Sequence, residues 1–294
     1  VFDALVVLDI RNDAIVRIDP RAGSVTVAVA DAGHFPDGLV YDPTADRLYW
    51  TTMGKPTSKG AVKDFSAPNG SIESVTLHSG TRETVLPEGA LTTGKQLALN
   101  AGRLYWADRE GCKVSTVEVG GGPVTDLIVN RPLGKMAQCV GIAITATDLY
   151  WTQKGPAKGG KGRILRAGRE IPAGESAASR TDIETLWRDL PEPIDLWADL
   201  VNGYLYWTDR GAKPNGNTLN RAPIPARGES GAPPRILAGG FHEAIGLTVD
   251  IAEDTVYVCD LGGTVRAVAA DGSSERVVAR CDDRAFTGMA GIAG

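Results

Sequence analysis

Short runs that alternate between apolar and polar positions recur along the whole chain, separated by clusters of Gly, Asp, Asn, Thr and Pro, and no stretch carries a helical period. The most regular run is an apolar residue, an aromatic pair and a small polar tail. It occurs as Leu48-Tyr49-Trp50-Thr51-Thr52, Leu104-Tyr105-Trp106-Ala107-Asp108, Leu149-Tyr150-Trp151-Thr152-Gln153, Leu205-Tyr206-Trp207-Thr208-Asp209 and Val256-Tyr257-Val258-Cys259-Asp260, with a degenerate copy at Leu5-Val6-Val7-Leu8-Asp9. On the Trp column the copies stand at 7, 50, 106, 151, 207 and 258, spaced by 43, 56, 45, 56 and 51 residues. A short strand precedes each copy, as in Gly38-Leu39-Val40-Tyr41-Asp42, and two alternating strands follow it. Four strands per repeat of this length is the pattern of a β-propeller blade.

The two ends complete each other. Residues 285–294 supply the first strand of a repeat and nothing after it, while residues 1–30 supply the second, third and fourth strands with no first. The expected fold is therefore all-β: a six-bladed β-propeller of four antiparallel strands per blade, one domain over residues 1–294. Blade 1 is formed by about 285–294 plus 1–30. Closing the ring this way leaves no exposed first or last sheet edge to seed aggregation.

The repeated Leu-Tyr-Trp-Thr-Asp motif resembles the YWTD repeat of six-bladed propellers found in low-density-lipoprotein receptor ectodomains and in free-standing microbial and fungal proteins. The resemblance covers the whole chain and implies the fold, while propellers at large host receptors, lactonases, lyases and isomerases. The cysteine-rich modules that flank the receptor versions are absent, so the chain looks like a free-standing member.

Composition narrows the partners. A net charge of −5 with interspersed signs provides no clustered basic face for nucleic acid or anionic lipid, and no segment is apolar for long enough to span a bilayer. The start at Val1 shows neither a basic leader nor a long apolar run, and a first residue other than Met implies processing or trimming upstream. Cys112, Cys139, Cys259 and Cys281 are scattered, which points to free buried thiols and a cytoplasmic setting but leaves a Cys259–Cys281 bridge open.

Residues repeated in every blade are what packing demands, so the aromatic pair and the motif Asp are expected to be structural; chemistry belongs where a blade departs from its siblings. The inner strands begin with Gly38, Gly141, Gly246 and Gly288, but with Gln96 in blade 3 and Asp195 in blade 5. His34 and His242 each stand four residues before that column, in the blades that flank blade 1. Three long loops, 52–71, 153–163 and 209–217, carry Lys55, Lys59, Lys63, Lys154, Lys158, Lys161, Arg210 and Lys213 as a candidate rim or lid.

These positions are expected around a funnel on the face where the inner strands begin. There His34 or His242 would move protons, Asp195 with Asp37 would orient or polarise the imidazole, and Lys95 and Gln96 would hold a substrate oxygen. Trp197 and Trp187 are candidate pocket walls. The alternative is that the histidines cap rim loops, Asp195 bonds strand backbone and Trp197 packs in the core. Glu192, Glu243 and Gln138 share the next column and are expected as solvated rim residues, with a polar ring as the other reading.

Lactonase-type propellers hold a divalent ion on several acidic and Asn ligands, whereas the inner column here offers one carboxylate, so neither a metal nor another cofactor is expected. The expected activity is cofactor-independent acid–base chemistry on a small organic molecule: hydrolysis, isomerisation, elimination or cyclisation. A non-enzymatic module that holds a protein or peptide on the disc face is the alternative.

Overall fold

The computed structural model describes residues 1–58, 60 and 63–293. Among these it contains six four-stranded antiparallel sheets and no helix. Blades 2 to 6 follow in chain order. Their inner strands are Pro36–Asp42, Gly94–Asn100, Cys139–Ile144, Pro193–Asp199 and Ala244–Asp250. Blade 1 takes its inner strand, Phe286–Ala293, from the far end of the chain, paired antiparallel to Phe2–Asp9 with Leu5 opposite Gly291 and Val6 opposite Ala290. The inner strands touch one another in ring order, blade 6 against blade 1 included.

The motif works as a two-sided wedge. Adjacent strand residues point to opposite faces of a sheet, so each Tyr faces the following blade and each Trp the preceding one. Trp50 packs with Val6, Leu8 and Ile15 of blade 1, and Tyr49 with Leu97 and Trp106 of blade 3. Tyr105 meets Trp151, Tyr150 meets Trp207, and Tyr206 meets Val256 and Val258 in the same way. Six apolar clusters result, one in each gap between blades. Each buried Trp removes on the order of 200 Å² from water, ~5 kcal/mol at about 25 cal/mol per Å².

The polar tail of the motif stitches blades together. Thr51 Oγ1 accepts the Gly38 N–H of its own blade at 2.9 Å and donates to Lys95 O of the next at 2.7 Å. Thr152 links Gly141 to Ile194, and Thr208 links Asp195 to Ile245, by the same pair of bonds. In blade 6 the Cys259 thiol donates to Thr287 O at 2.7 Å. The terminal Asp ties the loops: Asp108 accepts from the amides of Thr92, Thr93 and Gly111, and Asp260 from those of His242 and Thr264.

The glycine column has a steric cause. A Cβ on Gly141 would stand 2.0 Å from Ile194 O, and one on Gly246 would stand 2.1 Å from Thr287 O, so neighbouring inner strands approach too closely for a side chain. All four cysteines are free, and no Cys259–Cys281 bridge forms.

Candidate functional site

The funnel lies on the opposite face from the one expected. The second residues of the inner strands of blades 2 to 6 and of blade 1 are Asp37, Lys95, Val140, Ile194, Ile245 and Thr287, and all six are buried. Val140, Ile194 and Ile245 form one apolar cluster, and Lys95 Nζ pairs with Asp37 Oδ2 beside Met53 Sδ. This layer closes the axis where the strands begin. Towards the other end burial falls off, as in Val40 and Tyr41, Ala98 and Leu99, Ile144, and Trp197 and Ala198. There the later halves of the inner strands line a cavity of about 430 Å³ with Phe2 at its edge.

Three of the seven residues singled out from the sequence, Gln96, Asp195 and Trp197, share this cavity. Asp195 Oδ1 accepts the Leu196 N–H at 2.9 Å and Oδ2 the Leu247 N–H of blade 6 at 3.0 Å. Those bonds lower its pKa, yet burial outweighs them and the Asp37 charge adds to it, which pushes the carboxyl up to about 7. Gln96 is buried and its Nε2 has no partner; the Trp197 Nε1 is likewise buried and unpartnered.

Asp37 and Lys95 stand in the closing layer, outside the cavity wall. Burial, opposed in part by Asp37, takes the Lys95 amine down to about 8. Neither His34 nor His242 reaches the cavity, so the structure does not bring them to Asp195. His34 is half exposed, 3.8 Å from Asp13, and His242 is exposed, packed on Gly262 with its amide held by Asp260. Trp187 is also no pocket wall: its ring packs tilted against Trp207, 5.3 Å between centroids, and its Nε1 donates to Ala232 O.

The basic loops close the starting face rather than frame an opening. Lys154 is buried 3.6 Å from Glu192, Arg210 bridges Glu192 at 2.9 Å and Glu243 at 3.7 Å, and Lys158 stands 3.5 Å from Glu243. Glu192 is therefore a buried ion-pair centre and not the solvated rim residue expected. Lys63 sits 3.9 Å over the Phe35 ring and Lys161 2.9 Å from Asp189; Lys59 lies outside the described residues.

Sequence reasoning missed Tyr41 and Thr248 in the cavity wall. The same rule of departures would have found them two and three residues further along. Thr248 stands out against Val40, Ala98, Ala143 and Ala290, and Tyr41 against Leu99, Ile144, Ala198, Val249 and Gly291. Tyr41 donates to Asp46 at 3.0 Å, and Asp46 in turn accepts from His78.

Fold and repeat together define a six-bladed propeller of the YWTD type. The chain is 37% identical over 286 residues to the low-density lipoprotein receptor-related protein 1 of Pyricularia oryzae, across 91% of this chain and 89% of that one. It belongs to that family. It is also 36% identical over 275 residues to the 3-hydroxyacyl-CoA dehydrogenase-like protein LAM1 of Cochliobolus heterostrophus, covering 87% of this chain and 56% of that one. Among solved structures it resembles the YWTD propeller of a nidogen–laminin complex, with a TM-score of 0.73 at 17% identity over 97% of both chains. Regucalcin from Agrobacterium tumefaciens, a calcium-binding protein, follows with a TM-score of 0.60 at 16% identity, over 86% of this chain and 76% of that one. No protein-family profile matches the chain.

Proposed function

We propose that this propeller binds a small organic molecule in the ending-face half of its channel and that Asp195 exchanges a proton with it. One observation carries the reading. The two inner strands that lack the column glycine place a carboxyl and an amide, Asp195 and Gln96, in the wall of the same cavity. A mostly apolar pocket of about 300–1,000 Å³ with a few convergent polar groups is the usual form of a small-molecule site. A carboxyl with a pKa near 7 is suited to give and to take a proton near neutral pH. Hydrolysis of a lactone or ester, isomerisation, elimination and cyclisation can each use such a group.

A dehydrogenase binds its dinucleotide in the crevice of a parallel α/β sheet, and every pairing in these six sheets is antiparallel. Regucalcin's calcium is not carried over: among the described residues no three His, Cys, Asp or Glu side chains converge, and both Asp195 oxygens accept from backbone amides.

The test is a thermal-shift screen of small metabolites, followed by turnover of each hit by the wild type and by Asp195→Asn. Retained binding with turnover reduced 100-fold or more is the expected result, with His34→Ala and His242→Ala unchanged. Undiminished turnover in Asp195→Asn would remove the proton-transfer role. The second reading, a protein partner on the disc face, draws on exposed Leu200 and Val201, which follow the inner strand of blade 5; under it Asp195→Asn is silent and channel ligands are not found.

A further inference from the structure

The wall of the channel also restricts what it can hold, and this inference rests on the channel being the ligand site. Among the described residues no Lys, Arg or His lines the cavity, so an anionic ligand would lose its hydration without meeting a counter-charge. The one wall carboxyl, Asp195, has each oxygen on a backbone amide. The remaining surface is chiefly Leu, Ile, Val, Ala and Met side chains.

Against that apolar wall stand two buried N–H groups with no acceptor, Gln96 Nε2 and Trp197 Nε1. Leaving such a donor unpaired costs about 1–3 kcal/mol, a cost that an acceptor on a ligand beside it would remove. Both groups only donate. Gln96 and Asp195 occupy the same column at the closed end, and Trp197 stands two residues nearer the mouth, ~7 Å along the strand at about 3.3 Å per residue. Protonated Asp195 would add a third donor at the closed end.

We infer that the channel takes a neutral carbonyl compound, a ketone, ester or lactone on an apolar skeleton, inserted oxygen-first from the face where the inner strands end. Its leading oxygen accepts from Gln96 and from the Asp195 acid, and the skeleton fills the apolar wall towards Tyr41, Trp197 and Val249.

The test uses the full chain and a matched series of nine-carbon compounds: 2-nonanone, δ-nonalactone, nonanoate, nonylamine and nonane, titrated by calorimetry and thermal shift at pH 6.0, where Asp195 is protonated and nonanoate is ionised. The ketone and lactone should bind at least tenfold more tightly than nonanoate and nonylamine. Gln96→Leu should weaken the ketone and lactone tenfold or more while leaving nonane unaffected or tighter, and the nonane signal shows that the variant keeps its fold and its cavity. Tighter binding of nonanoate or nonylamine, or an equal response of ketone and nonane, overturns the ligand class and leaves the channel as a site. Binding of none of the five overturns the channel reading itself.

Discussion

At the residue scale the informative contrast is between Thr208 and Asp195, which meet through one hydrogen bond and behave differently. Thr208 Oγ1 is satisfied twice, by the Asp195 N–H and by Ile245 O, and has one role, holding blade 5 to blade 6. Asp195 takes part in the same stitching through Leu247 but carries a carboxyl whose burial makes ionisation costly. That cost has a definite pH window. Because its pKa rises from the ordinary 3.8 to about 7, the folded state favours the protonated form. This contribution to stability is fully present below about pH 4 and is lost as pH rises through 7. The stability of the wild type relative to Asp195→Asn should accordingly fall from pH 4 to pH 7 and then level off, by an amount on the order of a few kcal/mol. Lys95 acts in a separate window. Its amine is held down from 10.5 to about 8, so its burial cost is relieved as pH rises from 8 towards 10.5. Chemical denaturation of both proteins across pH 4–10 checks the sign, and a flat difference would remove the burial argument for Asp195.

At the element scale the inner strand is the unit that decides both packing and chemistry. Its column position is glycine where the next strand comes too near for a Cβ, and a side chain only in blades 3 and 5. Gly141→Ala should therefore destabilise the protein by about 1–3 kcal/mol, since the new methyl meets the Ile194 carbonyl at 2.0 Å, a backbone atom that cannot swing away. Gly120→Ala, with no atom of the described residues within 4 Å of the added Cβ, is the control and should melt as the wild type does. Equal melting temperatures for the two would mean that the column glycines do not mark close strand approach.

At the scale of the whole molecule the ring is closed by a single strand, Phe286–Ala293, which pairs with Phe2–Asp9 and packs against the inner strands of blades 2 and 6. Removing residues 286–294 opens blade 1 and exposes the sheet edge of Phe2–Asp9. The expected outcome is loss of cooperative unfolding, read by calorimetry, and a shift to associated species in sedimentation. A truncated chain that stays monomeric and melts in one transition at the native temperature would show that closure is dispensable. The two faces of the disc also differ as wholes. Ion pairs among Lys154, Lys158, Glu192, Arg210 and Glu243 fill the starting face, and the open half of the channel faces the other way.

The sequence alone determined the architecture, because the motif recurs six times and each copy has the same physical task. A Tyr and a Trp on opposite faces of one strand demand a blade on either side, and the strands missing at one end are present at the other. It also marked Gln96 and Asp195, since a departure from a repeated glycine is visible without coordinates. Which way the channel opens was decided only by the tertiary structure. That depends on whether six second-position side chains from six distant segments meet at the axis, and Val140, Ile194 and Ile245 meeting beside the Lys95–Asp37 pair could not be seen in any one repeat. The same holds for the histidines: four residues before the column is a fixed distance along the chain, but the loop carries His34 and His242 outward, away from the carboxyl they were expected to serve.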